Sequence, residues 1–185
     1  TDLTRTFPDG FRWGTATAAH QIEGGNVNND WWDWEHTEGS GCAESSGDAC
    51  DSWHRWADDV DAVAAMGLGV YRFSLEWSRI EPAEGEISQV ALDRYRALCE
   101  SLRGRGITPV VTYHHFTTPR WFDQQGGWVS ADAVERFAAY VRICARVLDG
   151  VRWVCTINEP NVLAVMVRFA GLSGSGDAAS AALDV

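Results

Sequence analysis

The sequence predicts an α/β protein of the (β/α)8 (TIM) barrel type, with about the first four βα units present. Three observations predict it. Short apolar runs alternate with long amphipathic segments, the order expected of parallel strands joined by crossover helices. The apolar runs do not alternate cleanly with polar residues, which is how strands covered on both faces read. Each run also ends in polar or aromatic residues before its helix: His20 and Gln21, Glu76 and Trp77, His114 and His115, Asn158 and Glu159. In a closed barrel such ends converge on one mouth, where catalytic groups gather from several strands. The competing architecture is an open doubly wound sheet. Its dinucleotide fingerprint, Gly-x-Gly-x-x-Gly after the first strand, does not occur, and no cofactor is expected.

The first strand is placed in "FRWGTATA" (11–18), the second in "GVYRFSLEW" (69–77), the third in "ITPVVTYHH" (107–115) and the fourth in "VRWVCTINE" (151–159). Between them lie three helical periodicities. In "SWHRWADDVDAVAAMG" the apolar face is Trp53, Trp56, Ala57, Val60, Val63 and Ala64. In "SQVALDRYRALCESLRGRG" it is Ala91, Tyr95, Leu98, Cys99 and Leu102. In "DAVERFAAYVRICARVLDG" it is Val134, Phe137, Ala138, Val141, Ala145 and Leu148. Gly67, Gly104 and Gly150 follow these segments, in keeping with the glycine that commonly ends a helix. A fourth helix is expected to begin within "GLSGSGDAASAALDV" at residues 171–185.

Composition narrows the function. With 15 Lys and Arg against 26 Asp and Glu, the net charge is −11, so most of the surface repels polyanions and nucleic acid is not an expected partner. No apolar run approaches the roughly 20 residues of a membrane helix. The opening "TDLTRTFPDGF" lacks the signal-peptide pattern, and a cytoplasmic location is expected. Of the five cysteines, Cys99, Cys144 and Cys155 fall within apolar patterns and read as reduced core residues. Cys42 and Cys50 flank a Ser/Gly-rich loop and are the candidates for a pair. Neither Cys-x-x-Cys spacing nor the placement of His20, His114 and His115 fits a metal site, so no metal is expected. Ten tryptophans exceed the one or two that satisfy a core, which suggests that some line a surface. A flat apolar face with one polar N–H suits the C–H-rich side of a sugar ring.

The chemistry concentrates in "VRWVCTINEPNVLAV" (151–165), where a strand delivers Asn158, Glu159 and Pro160. Glu159 reads as a general acid/base, because glycoside hydrolysis needs one carboxyl that is protonated at bond cleavage and ionised when water attacks. A partly desolvated mouth would raise its pKa toward that role. Asn158 can donate to a sugar hydroxyl, and hydrogen bonds at the 2-position strengthen in the transition state. Pro160 removes a backbone donor and stops the strand. Gln21 after the first strand and His115 after the third add an amide and an imidazole, groups that suit neutral sugars. His20 reads as a packed or hydrogen-bonded residue, and His114 is expected to point into the barrel wall.

The stretches "FRWGTATAAHQIEG", "GDACDSWHRWADDV", "VYRFSLEWSRI", "VTYHHFTTPRWF" with its following "GGW", and "TINEPNV" run in one order from about residue 7 to 165. Together they resemble glycoside hydrolase family 1, the β-glucosidase family. The resemblance implies a retaining, two-step β-glycosidase acting on small-molecule β-glycosides, with Glu159 as acid/base. It implies that Gln21, His115 and Asn158 hold hydroxyls of the terminal sugar, and that Arg72 of "YRFS" orients and stabilises the charged nucleophile. Many members carry Trp where this chain has Phe116, which removes one indole N–H from the expected sugar site. Members with the same "EWSRI" do not use the residue matching Glu76 as nucleophile, so Glu76 reads as structural.

In the family the nucleophile lies in a Thr/Glu-Asn-Gly stretch on the seventh strand, and no such stretch occurs here. Residues 1–185 therefore read as the N-terminal half of one glycosidase barrel domain, its C-terminal half absent. Such a half leaves strand edges and barrel-interior side chains uncovered. It calls for a complementary C-terminal half or self-association. Two alternatives to a complete enzyme follow: a non-catalytic sugar-binding half-barrel, or one subunit of a split glycosidase.

Overall fold

The computed structural model describes residues 6–170. In chain order it contains β1 (Gly14–Ala16), α1 (Ala19–Ile22), α2 (Asp30–Glu35), α3 (Ser52–Ala65), β2 (Val70–Ser74) and α4 (Trp77–Ile80). It continues with α5 (Gln89–Gly104), β3 (Thr108–His114), α6 (Arg120–Gln124), α7 (Ala133–Cys144), β4 (Trp153–Ile157) and α8 (Pro160–Ala170). The four strands form one parallel sheet in the order β1-β2-β3-β4. Sequential parallel pairing with helical crossovers is the arrangement of consecutive barrel units.

The strands are shorter than the apolar runs that announced them, because the runs continue into the strand-to-helix turns. α8 begins at Pro160, directly after β4, rather than within residues 171–185, which lie outside the described residues. Proline suits the first helical position, where its missing N–H would have no partner. Two of the three expected glycines end their segments in left-handed backbone, Gly67 at φ 70° and Gly150 at φ 70°. Gly104 instead closes α5 from within, and Gly106 at φ 73° turns the chain toward β3.

The sheet divides two layers. On the outer side Tyr71 and Phe73 of β2 and Val111 and Tyr113 of β3 meet Val60 and Val63 of α3, the apolar face of α5, and Tyr140 and Cys144 of α7. All five residues expected on the α5 face are buried. On α3 the tryptophans, Val60 and Val63 pack inward as expected, but Ala57 and Ala64 are exposed. A kink at Arg55 (φ −104°, ψ 17°) shifts the phase of that helix. The α7 face is also displaced. Val134 and Ala145 are exposed, while Ala133, Tyr140 and Cys144 are buried. Tyr140 sets that phase, because it stacks on Trp77 with centroids 4.6 Å apart and donates its hydroxyl to the Tyr113 carbonyl at 2.9 Å.

Toward the N-terminal ends of the strands the inner side is open. Val70, Thr108 and Val110 line a groove of ≈ 560 Å³ with Arg12, Arg152 and Trp153. Trp153, in register with Val110, is 63% exposed on this face, while Val154, in register with Val111 on the other face, is 47% exposed. β1 and β4 each pair on one side only among the described residues. Among the described residues this surface has the open edges and uncovered side chains of part of a barrel.

Cys99 and Cys144 are buried as expected, and burial pushes each thiol up to about 12. Cys42 and Cys50 do not pair; Cys42 instead donates to the Glu44 carbonyl at 3.2 Å. His114, at the end of β3, is enclosed in the wall with its ring edge-on to Trp128 and Phe137. Neither ring nitrogen has a hydrogen-bond partner. Burial, helped by neighbouring His115, drives its pKa down to about 3.

Two expectations follow. Trp77 is 1% exposed and contacts Trp121, Phe122, Phe137 and Tyr140, so Trp77→Ala should cost about 3–5 kcal/mol, read from denaturant unfolding midpoints. His114 in the unfolded chain takes up a proton near pH 6.5, whereas the folded chain resists it down to about pH 3. Stability is therefore full above pH 6.5 and falls as pH drops through that window. His114→Phe should shrink the stability difference between pH 7.5 and 4.5; an unchanged difference would assign the acid sensitivity to other groups.

Candidate active site

The C-terminal ends of the four strands are stitched together by backbone and side-chain bonds. After β1, Thr17 N donates to the Arg72 carbonyl at 2.9 Å and Ala19 N to Ser74 Oγ at 2.7 Å. After β2, Leu75 N donates to the Thr112 carbonyl at 2.9 Å. After β3, the His114 carbonyl accepts from Asn158 N at 2.9 Å. These bonds fix the turns that carry the sequence-selected residues at one end of the sheet.

Arg72 stands on the inner face, since Tyr71 and Phe73 on either side enter the outer core. Its Nε donates to Thr112 Oγ1 at 2.9 Å and its Nη2 to Asn158 Oδ1 at 2.6 Å, so one guanidinium spans β2, β3 and the end of β4. It forms no ion pair among the described residues. Half-buried His115 feels this charge. Burial first, and then Arg72, lower its pKa to about 4, which leaves a neutral imidazole whose Nδ1 has no partner. The structure thus brings Arg72, His115 and Asn158 together.

Gln21 lies on α1 at the same end of the sheet, exposed, beside buried His20. His20 Nδ1 accepts from Asn29 Nδ2 at 2.9 Å, so the proton sits on Nε2 and is donated to Glu35 at 2.8 Å. This is the hydrogen-bonded role expected for His20. Burial pushes the Glu35 carboxyl up, but its bonds from His20 and Ser46 outweigh that effect and hold it below the usual range. From His20 a line of rings runs to His115. Trp31 meets His20 edge-on at 5.8 Å, Phe116 lies parallel to Trp31 at 5.8 Å, and His115 meets Phe116 edge-on at 5.0 Å.

Glu159 occupies the turn between β4 and α8 with φ 45°, a left-handed conformation uncommon for a residue with a side chain. Phe116, in the turn after β3, has φ 71°. Strained backbone of this kind is often found at functional sites. The Glu159 side chain is exposed rather than partly desolvated as the sequence suggested. The part of the mouth that would cover it is not among the described residues.

Glu76 is buried and fully engaged, accepting from Ser78 Oγ at 2.7 Å and Thr117 Oγ1 at 3.0 Å, in keeping with a structural role. Two polar groups escaped the sequence reading. Thr112 looks like any β-branched residue of a buried strand until its hydroxyl is seen to meet Arg72. Asp30 accepts from the N–H groups of Trp31 and Thr118 at 3.0 and 2.8 Å. Burial nevertheless pushes its carboxyl up to about 8, opposed by the Thr118 N–H and reinforced by Asp123. Among the described residues no group of three or more His, Cys, Asp and Glu could hold a metal ion. None of their helices is long and apolar enough to cross a membrane.

Comparison with known proteins gives this arrangement its context. Thermostable beta-glucosidase B of Thermobispora bispora is 43% identical over 178 residues, covering 93% of this chain and 38% of that protein. Beta-glucosidase A of Thermotoga maritima is 36% identical over 180 residues, covering 93% and 40%. Among solved structures, the Thermotoga maritima beta-glucosidase in complex with a methoxycarbonyl-substituted glucoimidazole superposes with TM-score 0.87 at 35% identity, over 91% of this chain and 40% of that one. The beta-glycosidase from Pyrococcus horikoshii gives 0.84 at 41% identity, over 90% and 39%. The chain spans about two fifths of the length of these relatives, and its parallel sheet is part of their (β/α)8 barrel. The sequence model described as Glycosyl hydrolase family 1 matches residues 3–182, and the chain belongs to that family.

Proposed function

We propose that this chain is the acid/base-bearing half of a retaining β-glycosidase of β-glucosidase type, releasing terminal β-linked sugars from small-molecule glycosides. The observation that carries the reading is Arg72. A half-buried cation fixed by two neutral acceptors, and without a carboxylate among the described residues, stands ready for an anion. In a retaining mechanism that anion is the nucleophile, a carboxylate about 5–5.5 Å from the acid/base carboxyl. It belongs to the part of the barrel that the chain does not span.

Glu159 protonates the departing glycosidic oxygen and later takes a proton from the attacking water. Gln21, His115 and Asn158 bind hydroxyls of the terminal sugar. Neutral His115 can both donate and accept, which a charged imidazolium could not. The partner of the open inner face is the complementary C-terminal half. The five free thiols support a reducing, cytoplasmic setting.

Joining this chain to a barrel-completing segment from a relative should produce hydrolysis of aryl β-glucosides. Sugar binding without turnover in the completed barrel would instead indicate a binding module. Activity on mixing two separate chains would indicate a split enzyme. In the active form, Glu159→Gln should slow poor leaving groups by roughly 10²–10⁴-fold. Good leaving groups, which need little protonation, should suffer far less, and equal loss on both would remove Glu159 from the acid role.

A further inference from the structure

We infer that Thr112 is a positioning residue that decides which end of the Asn158 amide faces the substrate, acting through Arg72; this rests on the glycosidase reading above. Thr112 is fully buried on β3, between β2, which carries Arg72, and β4, whose following turn carries Asn158. Its Oγ1 accepts from Arg72 Nε at 2.9 Å, while Arg72 Nη2 reaches Asn158 Oδ1 at 2.6 Å. A guanidinium is planar and rigid, so anchoring Nε sets the direction of Nη2.

A carboxamide has two ends of nearly equal shape and opposite polarity, and a weakly held one can turn over. Here it cannot do so freely. Arg72 offers donors only, so the amide oxygen must face it and Nδ2 must face away. Nδ2 has no hydrogen-bond partner among the described residues, and Asn158 is otherwise buried. The amide therefore presents a donor, and the sugar hydroxyl it meets acts as acceptor. Removing the Thr112 hydroxyl leaves Arg72 Nε without its acceptor and lets the guanidinium swing. Asn158 then loses its fixed sense.

The test uses the completed barrel with Thr112→Val, which keeps the branched shape, and Thr112→Ser, which keeps the hydroxyl. On an aryl β-glucoside, Thr112→Val should lower kcat/KM roughly tenfold to a hundredfold, chiefly in kcat, because the 2-hydroxyl contact strengthens in the transition state. Thr112→Ser should restore most of it. On the 2-deoxy substrate, which lacks the hydroxyl that Asn158 meets, Thr112→Val should lose clearly less than on the glucoside, keeping only the part that comes through Arg72 and the nucleophile. Equal loss on both substrates, no loss on either, or a serine variant as poor as valine would overturn the proposal. NMR provides an independent reading that requires neither turnover nor a folded variant. In the parent protein the Arg72 Nε–H should be protected from solvent exchange, with one set of Asn158 side-chain amide resonances. Rapid exchange, or two sets, would overturn the positioning role. If the completed barrel cleaves no β-glycoside while the Nε–H is protected, the glycosidase reading fails and the Thr112–Arg72–Asn158 geometry stands.

Discussion

One guanidinium organises the mouth of this half-barrel. Arg72 reaches across three strands, and its two neutral acceptors hold it without cancelling its charge. A cation left uncompensated in a partly dry setting acts on all its neighbours. It adds to the burial that keeps His115 unprotonated, and it turns the oxygen of Asn158 toward itself. A carboxylate arriving opposite would find its ionised form favoured. Glu159 and Asn158 are adjacent in sequence, but the charge that Asn158 meets is set from β2, more than eighty residues earlier.

The tryptophans show how the two sides of the sheet differ. Trp77 is consumed by the outer core, and Trp53, Trp56, Trp121 and Trp128 pack against it. Trp31, Trp32 and Trp34 are half-exposed on α2, where Trp31 joins the line of rings leading to His115. Trp13 and Trp153 stand in the open. Packing and surface explanations of the tryptophan count therefore both hold, at different positions. The helix α2 that carries Trp31 is anchored by Asn29, whose side-chain oxygen caps it while its amide nitrogen holds His20.

Much of this was legible in the sequence, because barrel units repeat one local grammar. Apolar strands, amphipathic helices and polar strand ends occur in fixed order, so the parallel topology and the placement of His115 and Asn158 at one end of the sheet could be read without coordinates, whereas Arg72 was pointed out only by the family resemblance. Helix phase was less legible. The α7 stripe drawn through Val134 and Ala145 missed Tyr140, because apolar character alone does not show which side chain finds a stacking partner across the core. The extent of the strands was overread because apolar residues persist into the turns. Thr112 was invisible for a different reason: its side chain is common in strands, and only a bonding partner forty residues away distinguishes it. The exposure of Glu159 was equally out of reach, since burial depends on residues from elsewhere in the barrel.

The contrast between an outer layer packed over β2 and β3 and an open inner one bears on how such a barrel forms. The outer core joins α3, α5 and α7 to strands that follow one another closely in sequence, so these units can consolidate through neighbour contacts while later units are still disordered. The inner layer cannot, because closure demands that the first strand find the last. Assembly would then run from the rind toward the pith. During that interval the predominantly acidic exterior discourages partly built molecules from joining at their unzipped margins.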